Sequence, residues 1–213
     1  MVQIRVLESG ARGLRKRQIL RAASLEFRRK GFHNTGMRDI AAALEMTVSN
    51  LYYYFKNKQE ILAFCQEEAL SRLLALADWT RGLKLRADAR LGLLATGHVL
   101  CLNEVTPGSL AHLEVEELEA SYRSSVMEKR DRYEAALRQL LEEGIAQRVF
   151  RVTDVKIAVL AILGALNWTV KWFRPDGPKS AHSIGRLFAE QLVRGLLAPG
   201  VKLKIPELEI PEL

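Results

Sequence analysis

His98, Cys101 and Glu104 fall at i, i+3 and i+6, so on a helix they share roughly one face. Imidazole, thiol and carboxylate are the groups that ligate zinc or pair a thiolate with its base. A catalytic centre would need a third anchored partner or a phosphate-cradling loop beside them. Neither accompanies this set, which lies in an otherwise apolar stretch. The three residues read as packing groups or as the wall of a pocket. No enzyme, metal site or cofactor is expected.

A second set, between residues 35 and 58, suits a different chemistry. Thr47 heads a predicted helix from Val48 to about Phe55, and a hydroxyl at a helix N-terminus can bond a phosphate. Val48, Ser49 and Asn50 then occupy the leading turn. An asparagine amide there can read adenine, and a valine can touch a thymine methyl. Tyr52 is expected on the core side with Leu51 and Phe55, while Tyr53 and Tyr54 point outward toward phosphates or bases. Lys58 is placed for a phosphate. Thr35 and Arg38, at the start of the preceding helix, complete the candidate DNA contacts.

Charge supports this second set. Residues 1–60 carry 12 Lys/Arg against 5 Asp/Glu, while the other 153 residues carry 20 of each sign. The whole formal excess of +7 therefore sits in the first 60 residues. A basic module on a neutral body is the footprint of a nucleic-acid reader. On charge alone the alternative is a basic face that meets only water or a membrane surface. The two cysteines, Cys65 and Cys101, give neither a disulfide framework nor a C-x-x-C, which fits a reducing cytoplasm. Residues 1–10 hold no signal-peptide apolar core. No run of about 18 apolar residues occurs, so no membrane-spanning segment is expected.

The elements that must position these groups are helices. Arg12 to Lys30 repeats Ile19, Ala23 and Phe27 at helical spacing, and Gly31-Phe32 supplies a stop with its apolar contact. Thr35 offers an N-cap for a short helix carrying Met37, Ile40, Ala41 and Leu44. Thr47 caps the next helix, and Asn57 with Glu60 forms an N-x-x-E capping box that opens a fourth. Between the second and third, Glu45-Met46-Thr47 forms a turn that sets the third helix at a steep angle for the major groove. Longer helices are predicted at 58–78, 87–105, 109–120, 122–147, 154–173 and 179–197, with breaks at Pro107-Gly108, Thr153-Asp154 and Pro175 to Pro178. The fold class is all-α. Residues 1–56 form a three-helix helix-turn-helix DNA-binding domain, and residues 57–198 a larger helical domain. The tail, 199–213, contains Ile-Pro-Glu-Leu twice, and its prolines forbid a helix interior. It is expected as an extended arm or as chain without fixed structure.

TGMRDIAAALEMTVSNLYYYFKNKQEIL, Thr35 to Leu62, resembles the DNA-binding signature of the TetR family, with its Ile-Ala, Leu-Tyr-x-x-Phe and Lys-x-x-(Ile/Leu)-Leu elements. The helix ending at Gly31-Phe32 is similar to that family's first helix. Two departures stand out. The family usually has glycine in the turn where Glu45 stands, so Glu45 must bear any positive-φ cost itself. The family often has glycine, then threonine or alanine, at the positions of Ser49 and Asn50, so no base preference carries over. The resemblance implies a ligand-responsive transcriptional regulator, a repressor, that binds double-stranded operator DNA as a homodimer and is released by a small effector.

It also implies that the body beyond about residue 60 binds the ligand and dimerises, its last two long helices forming a four-helix bundle with the partner. The sequence agrees: 154–173 and 179–197 are strongly apolar, and Leu187, Phe188, Gln191, Leu192, Gly195 and Leu196 make a broad stripe. Asn167 to Gly177 resembles a stretch in TetR-type regulators that sense acyl-CoA thioesters during fatty-acid, branched-chain or aromatic-acid degradation. Trp168 and Trp172 share a helix face, and Ala161, Gly164 and Ala165 precede them, small residues able to open a cavity. The ligand contacts this implies are His98, Cys101, Arg130, Tyr133, Asn167, Trp168, Lys171 and Trp172. The alternative effector is a hydrophobic drug-like molecule acting on an efflux-type or stress-gene repressor.

Overall fold

The computed structural model describes residues 11–105, 116 and 118–211. The first three helices, α1 (Ala11–Lys30), α2 (Met37–Ala43) and α3 (Val48–Tyr54), close over a core of Ile19, Ala23, Phe27, Ile40, Leu51 and Phe55. α1 stops where Gly31 takes φ 81° and its N–H reaches the Phe27 carbonyl at 2.8 Å; the Phe27 and Phe32 rings meet 5.2 Å apart. The cap of α2 differs from expectation. Gly36, not Thr35, is the N-cap, and the Asp39 carboxylate accepts the Gly36 N–H at 2.8 Å. Thr35 is buried, its hydroxyl 2.8 Å from the Gly31 carbonyl and 3.2 Å from that of Glu26. It locks the end of α1 and is thereby removed from the candidate DNA contacts. In the turn that follows, Glu45 does adopt φ 53°, a cost of roughly 1–2 kcal/mol for a residue with a Cβ.

The next helix, α4 (Lys58–Gly82), runs four residues past its predicted end and spans about 38 Å. Its opening is capped as expected at Asn57, whose side chain accepts the Glu60 N–H at 2.8 Å. The Glu60 carboxylate, however, accepts the N–H of Lys56, one residue earlier than a capping box would have it. α4 serves two cores. Ile61 and Leu62 pack under the first three helices, while Leu73, Leu76 and Ala77 pack into the body.

The body is organised around α5 (Ala87–Leu100), in which every residue from Ala87 to Val99 is buried. It continues as a π-helical turn, Cys101–Val105. Around it lie α4, α6 (Ala120–Ala146), α7 (Val155–Trp172) and α8 (Ala181–Leu196). The predicted helix at 109–120 falls largely outside the described residues. α5 and α8 approach closely at Gly185, where a Cβ would stand 2.8 Å from the Thr96 carbonyl oxygen. Glu104 caps α8 by accepting the Ala181 N–H at 3.1 Å, and Asn103 donates to the Thr169 hydroxyl at 2.9 Å, tying the π turn to α7.

The tail is an extended arm docked on the body. Its Ile205 fills the notch left by Gly92, where a Cβ would come within 2.6 Å, and Ile210 reaches Gly97. Arg86 holds the buried Asp88 carboxylate with two 2.7 Å bonds and also donates to the Lys202 carbonyl; Arg186 donates to that of Pro206. The prolines suit this arm, because side chains and carbonyls anchor it and few N–H groups are needed.

Among the described residues one helix, α7, is long and apolar enough to cross a membrane by length and composition, although charged and polar residues interrupt its apolar run. Val159, Ile162, Leu166 and Val170 bury one side of it within the protomer. Ile157, Leu160, Trp168 and Trp172 remain exposed, as does Leu187 on α8. Leu192 and Leu196 of the predicted stripe instead pack partly into their own core.

Candidate nucleic-acid interface and effector cleft

α3 is only seven residues long, so its core face admits little more than one turn. Leu51 inside and Phe55 just beyond are buried, whereas Tyr52, expected inside, is 51% exposed. Ser49, Asn50 and Tyr53 are exposed, and Val48 and Tyr54 are partly packed. The Thr47 hydroxyl oxygen accepts the Asn50 N–H at 3.2 Å, leaving its proton for an outside acceptor. The helix thus presents a hydroxyl, a serine, an asparagine and two tyrosines to solvent at the end of a basic head. Arg38 is exposed on α2. The sequence reading missed Arg12, whose guanidinium stacks 5.5 Å from the Tyr53 ring and brings α1's charge to α3. The run Arg12, Arg15, Lys16 and Arg17 was the available signal.

Lys58 has partners that its expected role did not include. Its ammonium donates to the carbonyls of Phe32 (2.9 Å), His33 (3.2 Å) and Thr35 (3.2 Å) and sits 4.5 Å from the Phe32 ring centroid. With three N–H bonds and three carbonyls, its capacity is filled. It clamps the loop between α1 and α2 and is not held out for a phosphate. Lys58→Met should therefore lower head stability by about 1–3 kcal/mol and leave the salt dependence of DNA binding by the folded fraction unchanged. Thermal unfolding and a salt titration check this. A salt slope lower by about one unit at unchanged stability would restore a phosphate contact.

In the body, a cleft of about 260 Å³ opens between α4, α5, α6 and α7, its apolar wall formed by Leu70, Leu73, Leu160 and Leu163. Its polar side is a relay across three helices. His98 lies fully buried, its Nδ1 3.0 Å from the Tyr133 hydroxyl and its Nε2 3.0 Å from Asn167 Oδ1. An amide oxygen only accepts, so Nε2 carries the proton and Tyr133 donates to Nδ1. Asn167 is thereby fixed with its NH₂ free to face the cleft. Arg130 and Glu134 complete the lining, with Gly164, beside which an added Cβ would meet nothing within 4 Å. Gln66, one turn before Leu70 on α4, buries both amide atoms without a partner among the described residues.

Burial pushes the His98 imidazole down to about 4, the Asn167 bond offsetting only part of that. The unfolded chain protonates this histidine below about 6.5, and the folded protein does not until about 4. Stability tied to the neutral relay is therefore complete above pH 6.5 and falls by about 3 kcal/mol as pH drops from 6.5 to 4. His98→Gln should flatten that window in unfolding measurements across pH. Equal acid sensitivity in both proteins would contradict the neutral relay.

The other sequence-predicted ligand residues separate. Cys101 is fully buried in the body core and does not line the cleft. Trp168 is 58% exposed, one turn beyond Gly164, and is not among the residues that line the cleft. Trp172 stacks on Phe188 with centroids 6.0 Å apart and borders a second, apolar cleft of about 340 Å³ at the α7–α8 turn. Lys171 is exposed one turn beyond Asn167, on the cleft side. Neither tryptophan lines the cleft at His98; both stand exposed beside it on α7. His98, Cys101 and Glu104 do not converge either: one joins the relay, one packs in the core, and one caps α8. Among the described residues, no cluster of three His, Cys, Asp or Glu side chains is arranged to hold a metal ion.

Comparison with known proteins agrees with this architecture. Residues 19–64 match the bacterial regulatory proteins of the tetR family, and residues 84–196 match the tetracyclin repressor-like C-terminal domain. KstR2 of Mycolicibacterium smegmatis, an HTH-type transcriptional repressor, is 27% identical over 193 residues, covering 85% of this chain and 90% of that protein. The fatty acid metabolism regulator protein of Bacillus subtilis is 25% identical over 182 residues, covering 84% and 94%. Among solved structures, the TetR family transcriptional regulator PfmR from Thermus thermophilus is 34% identical, covers 84% of this chain and 99% of its own, and has a TM-score of 0.76. AibR, solved with isovaleryl coenzyme A and operator DNA, shares the fold at TM-score 0.73 and 23% identity, covering 86% and 98%. A basic helix-turn-helix head on an all-helical body, matched along both parts, makes this chain a transcriptional regulator belonging to the TetR family.

Proposed function

We propose that this regulator is a homodimeric repressor that acts in the cytoplasm on a palindromic operator and is released by an acyl-CoA thioester, controlling genes of fatty-acid or related acid degradation. The observation that carries the effector class is the cleft at His98, apolar on one side and presenting fixed hydrogen-bond donors on the other. That pairing suits an acyl chain ending in a carbonyl. At about 260 Å³ the cleft is below the usual range for ligand sites, roughly 300–1,000 Å³, so it takes the acyl end and leaves the nucleotide outside. Lys171 stands on that outer side. The isovaleryl coenzyme A held by AibR, a protein of the same fold, supports the thioester.

On the DNA side, Thr47, Ser49, Asn50, Tyr53 and Tyr54 contact the operator together with Val48 and Arg38, and Arg12 and Tyr52 join them. The division of labour falls near residue 56, and α4 couples the two parts: Leu70 and Leu73 wall the cleft while Ile61 and Leu62 lie under the head. A ligand that shifts α4 favours a state whose heads are wrongly spaced for major grooves about 34 Å apart. Release needs a difference in ligand affinity between two states, about 1–3 kcal/mol for ordinary coupling.

The test is a calorimetric titration of acyl-CoAs of several chain lengths, with and without operator. Because coupling is reciprocal, operator should weaken acyl-CoA binding by the same factor by which acyl-CoA weakens operator binding. Asn50→Ala should cost about 1–3 kcal/mol at one base position per half-site. No binding by any thioester, alongside release by a neutral hydrophobic drug, would favour the efflux-type reading instead.

A further inference from the structure

Arg130 lines the cleft from α6, three residues before Tyr133 and therefore on the same helix face. Its guanidinium is half-buried and has no hydrogen-bond or ion-pair partner among the described residues. Burial pushes it below its usual range, and the nearby charges of Asp131 and Glu134 recover only part of that. Glu134, the carboxylate that shares the cleft, is instead bonded by Arg138 at 2.6 Å. A desolvated cation without a partner costs stability, and a fold retains one where something outside the chain pairs with it. The Asn167 amide, which also lines the cleft, is a donor held by His98; Tyr133 is turned to His98 and Glu134 is engaged by Arg138, so Arg130 and Asn167 are the donors left for a ligand.

We propose that Arg130 makes this cleft selective for charge: it binds an acyl compound that carries an anion, held by the guanidinium, beside a carbonyl oxygen held by the Asn167 amide. The anion is either a carboxylate within the cleft or a phosphate of a coenzyme arm folded back to its mouth, where the half-exposed Arg130 can meet it, and both offer the paired acceptor oxygens that a guanidinium fork matches. The inference deepens the acyl-thioester reading and rests on it for the ligand class, but its test does not depend on a thioester.

Four probes share one six-carbon chain: hexanoyl-CoA, the phosphate-free N-acetylcysteamine thioester of hexanoate, hexanoate itself and hexanol. Binding of each to wild type and to Arg130→Gln is measured by calorimetry on the full chain. Wild type should prefer the anionic probes to the neutral ones. Arg130→Gln should weaken the anionic probes about 10- to 100-fold, the range expected for a lost charged hydrogen bond, and leave the neutral ones unchanged. Its thermal midpoint without ligand should stay equal or rise, since an unpaired buried charge has been removed. Whichever anionic probe loses more identifies the source of the charge. Neutral probes that match the anionic ones on wild type, or anionic binding indifferent to Arg130→Gln, would overturn the proposal while leaving a thioester effector intact. Binding of hexanoate through Arg130 with no binding by either thioester would do the reverse, sustaining charge selection and removing the thioester.

Discussion

Leu187→Arg should yield a folded monomer that no longer holds operator DNA. Leu187 is 46% exposed and lines the apolar α7–α8 cleft with Trp172, while Ile157 and Trp168 are exposed elsewhere on α7. Within the protomer an arginine there reaches water, and such a surface change alters stability by no more than about 0.5 kcal/mol. In a two-fold bundle of α7 and α8 the same side chain enters the seam once from each protomer. An unpaired charge left buried costs about 3–5 kcal/mol, so the dimer should dissociate at working concentrations. Operator affinity then falls from the range of a paired reader, roughly 10⁻⁸ M or tighter, toward the 10⁻⁴–10⁻⁶ M typical of unspecific contact. Sedimentation velocity, thermal unfolding and an operator titration read the three parts separately. A stable dimer in the variant would place the interface on another face. Leu192, the more obvious residue in the sequence, is a poorer test because it packs partly into its own core, where an arginine would unfold the protomer as readily as separate the pair.

That contrast shows where sequence periodicity stops being informative. The caps and stops of the head were legible because they are local. Gly31 with Phe32, Thr47 with Asn50, and Asn57 with Glu60 all act within three or four residues, and the helices followed. The all-α class came from helical spacing and caps, and the basic head from where the charge lies along the chain. The relay was not legible as a relay: His98 was singled out, but its partners lie 35 and 69 residues away on two other helices. The loop contacts of Lys58 were not legible for the same reason, because the carbonyls it satisfies lie 23 to 26 residues earlier. The tryptophans failed differently. Spacing of i and i+4 shows that Trp168 and Trp172 share a side of α7 but not how far the cleft at Gly164 and Asn167 extends toward them. Tyr52 failed because a seven-residue helix has room inside for Leu51 and, at its end, Phe55, and one step along the chain turns the side chain by about 100°. The tail's prolines ruled out helix correctly, but its docking depends on notches at Gly92 and Gly97, more than a hundred residues upstream.

Two glycines, indistinguishable by helix propensity, should respond to the same substitution with opposite signs. Gly164 and Gly185 both lie in helix interiors, where alanine is favoured by about 1 kcal/mol. At Gly164 an added Cβ meets nothing within 4 Å and projects toward the cleft. Gly164→Ala should therefore realise the full gain and raise the thermal midpoint by about 2–4 °C, the usual response per kcal/mol for a chain of this size. At Gly185 the Cβ would stand 2.8 Å from the Thr96 carbonyl oxygen and 3.1 Å from its Cα. These are backbone atoms of α5, a helix buried along nearly its whole length, so there is no flexible side-chain end to swing away. α8 must withdraw, opening the largest helix–helix contact in the body. It also carries Arg186, which bonds the Pro206 carbonyl of the docked tail. Overpacking of this kind typically costs about 1–3 kcal/mol and sometimes more. Here the upper end applies, because relief at one contact strains the next. Set against the propensity gain, a net loss of about 2 kcal/mol and a midpoint lower by about 4–8 °C is expected for Gly185→Ala. Unfolding both variants side by side in one buffer decides the matter, since any general effect of alanine on the unfolded chain is common to the two. Equal shifts would mean that α8 can slide on α5 at little cost, and that the close approach at Gly185 does not hold the body together.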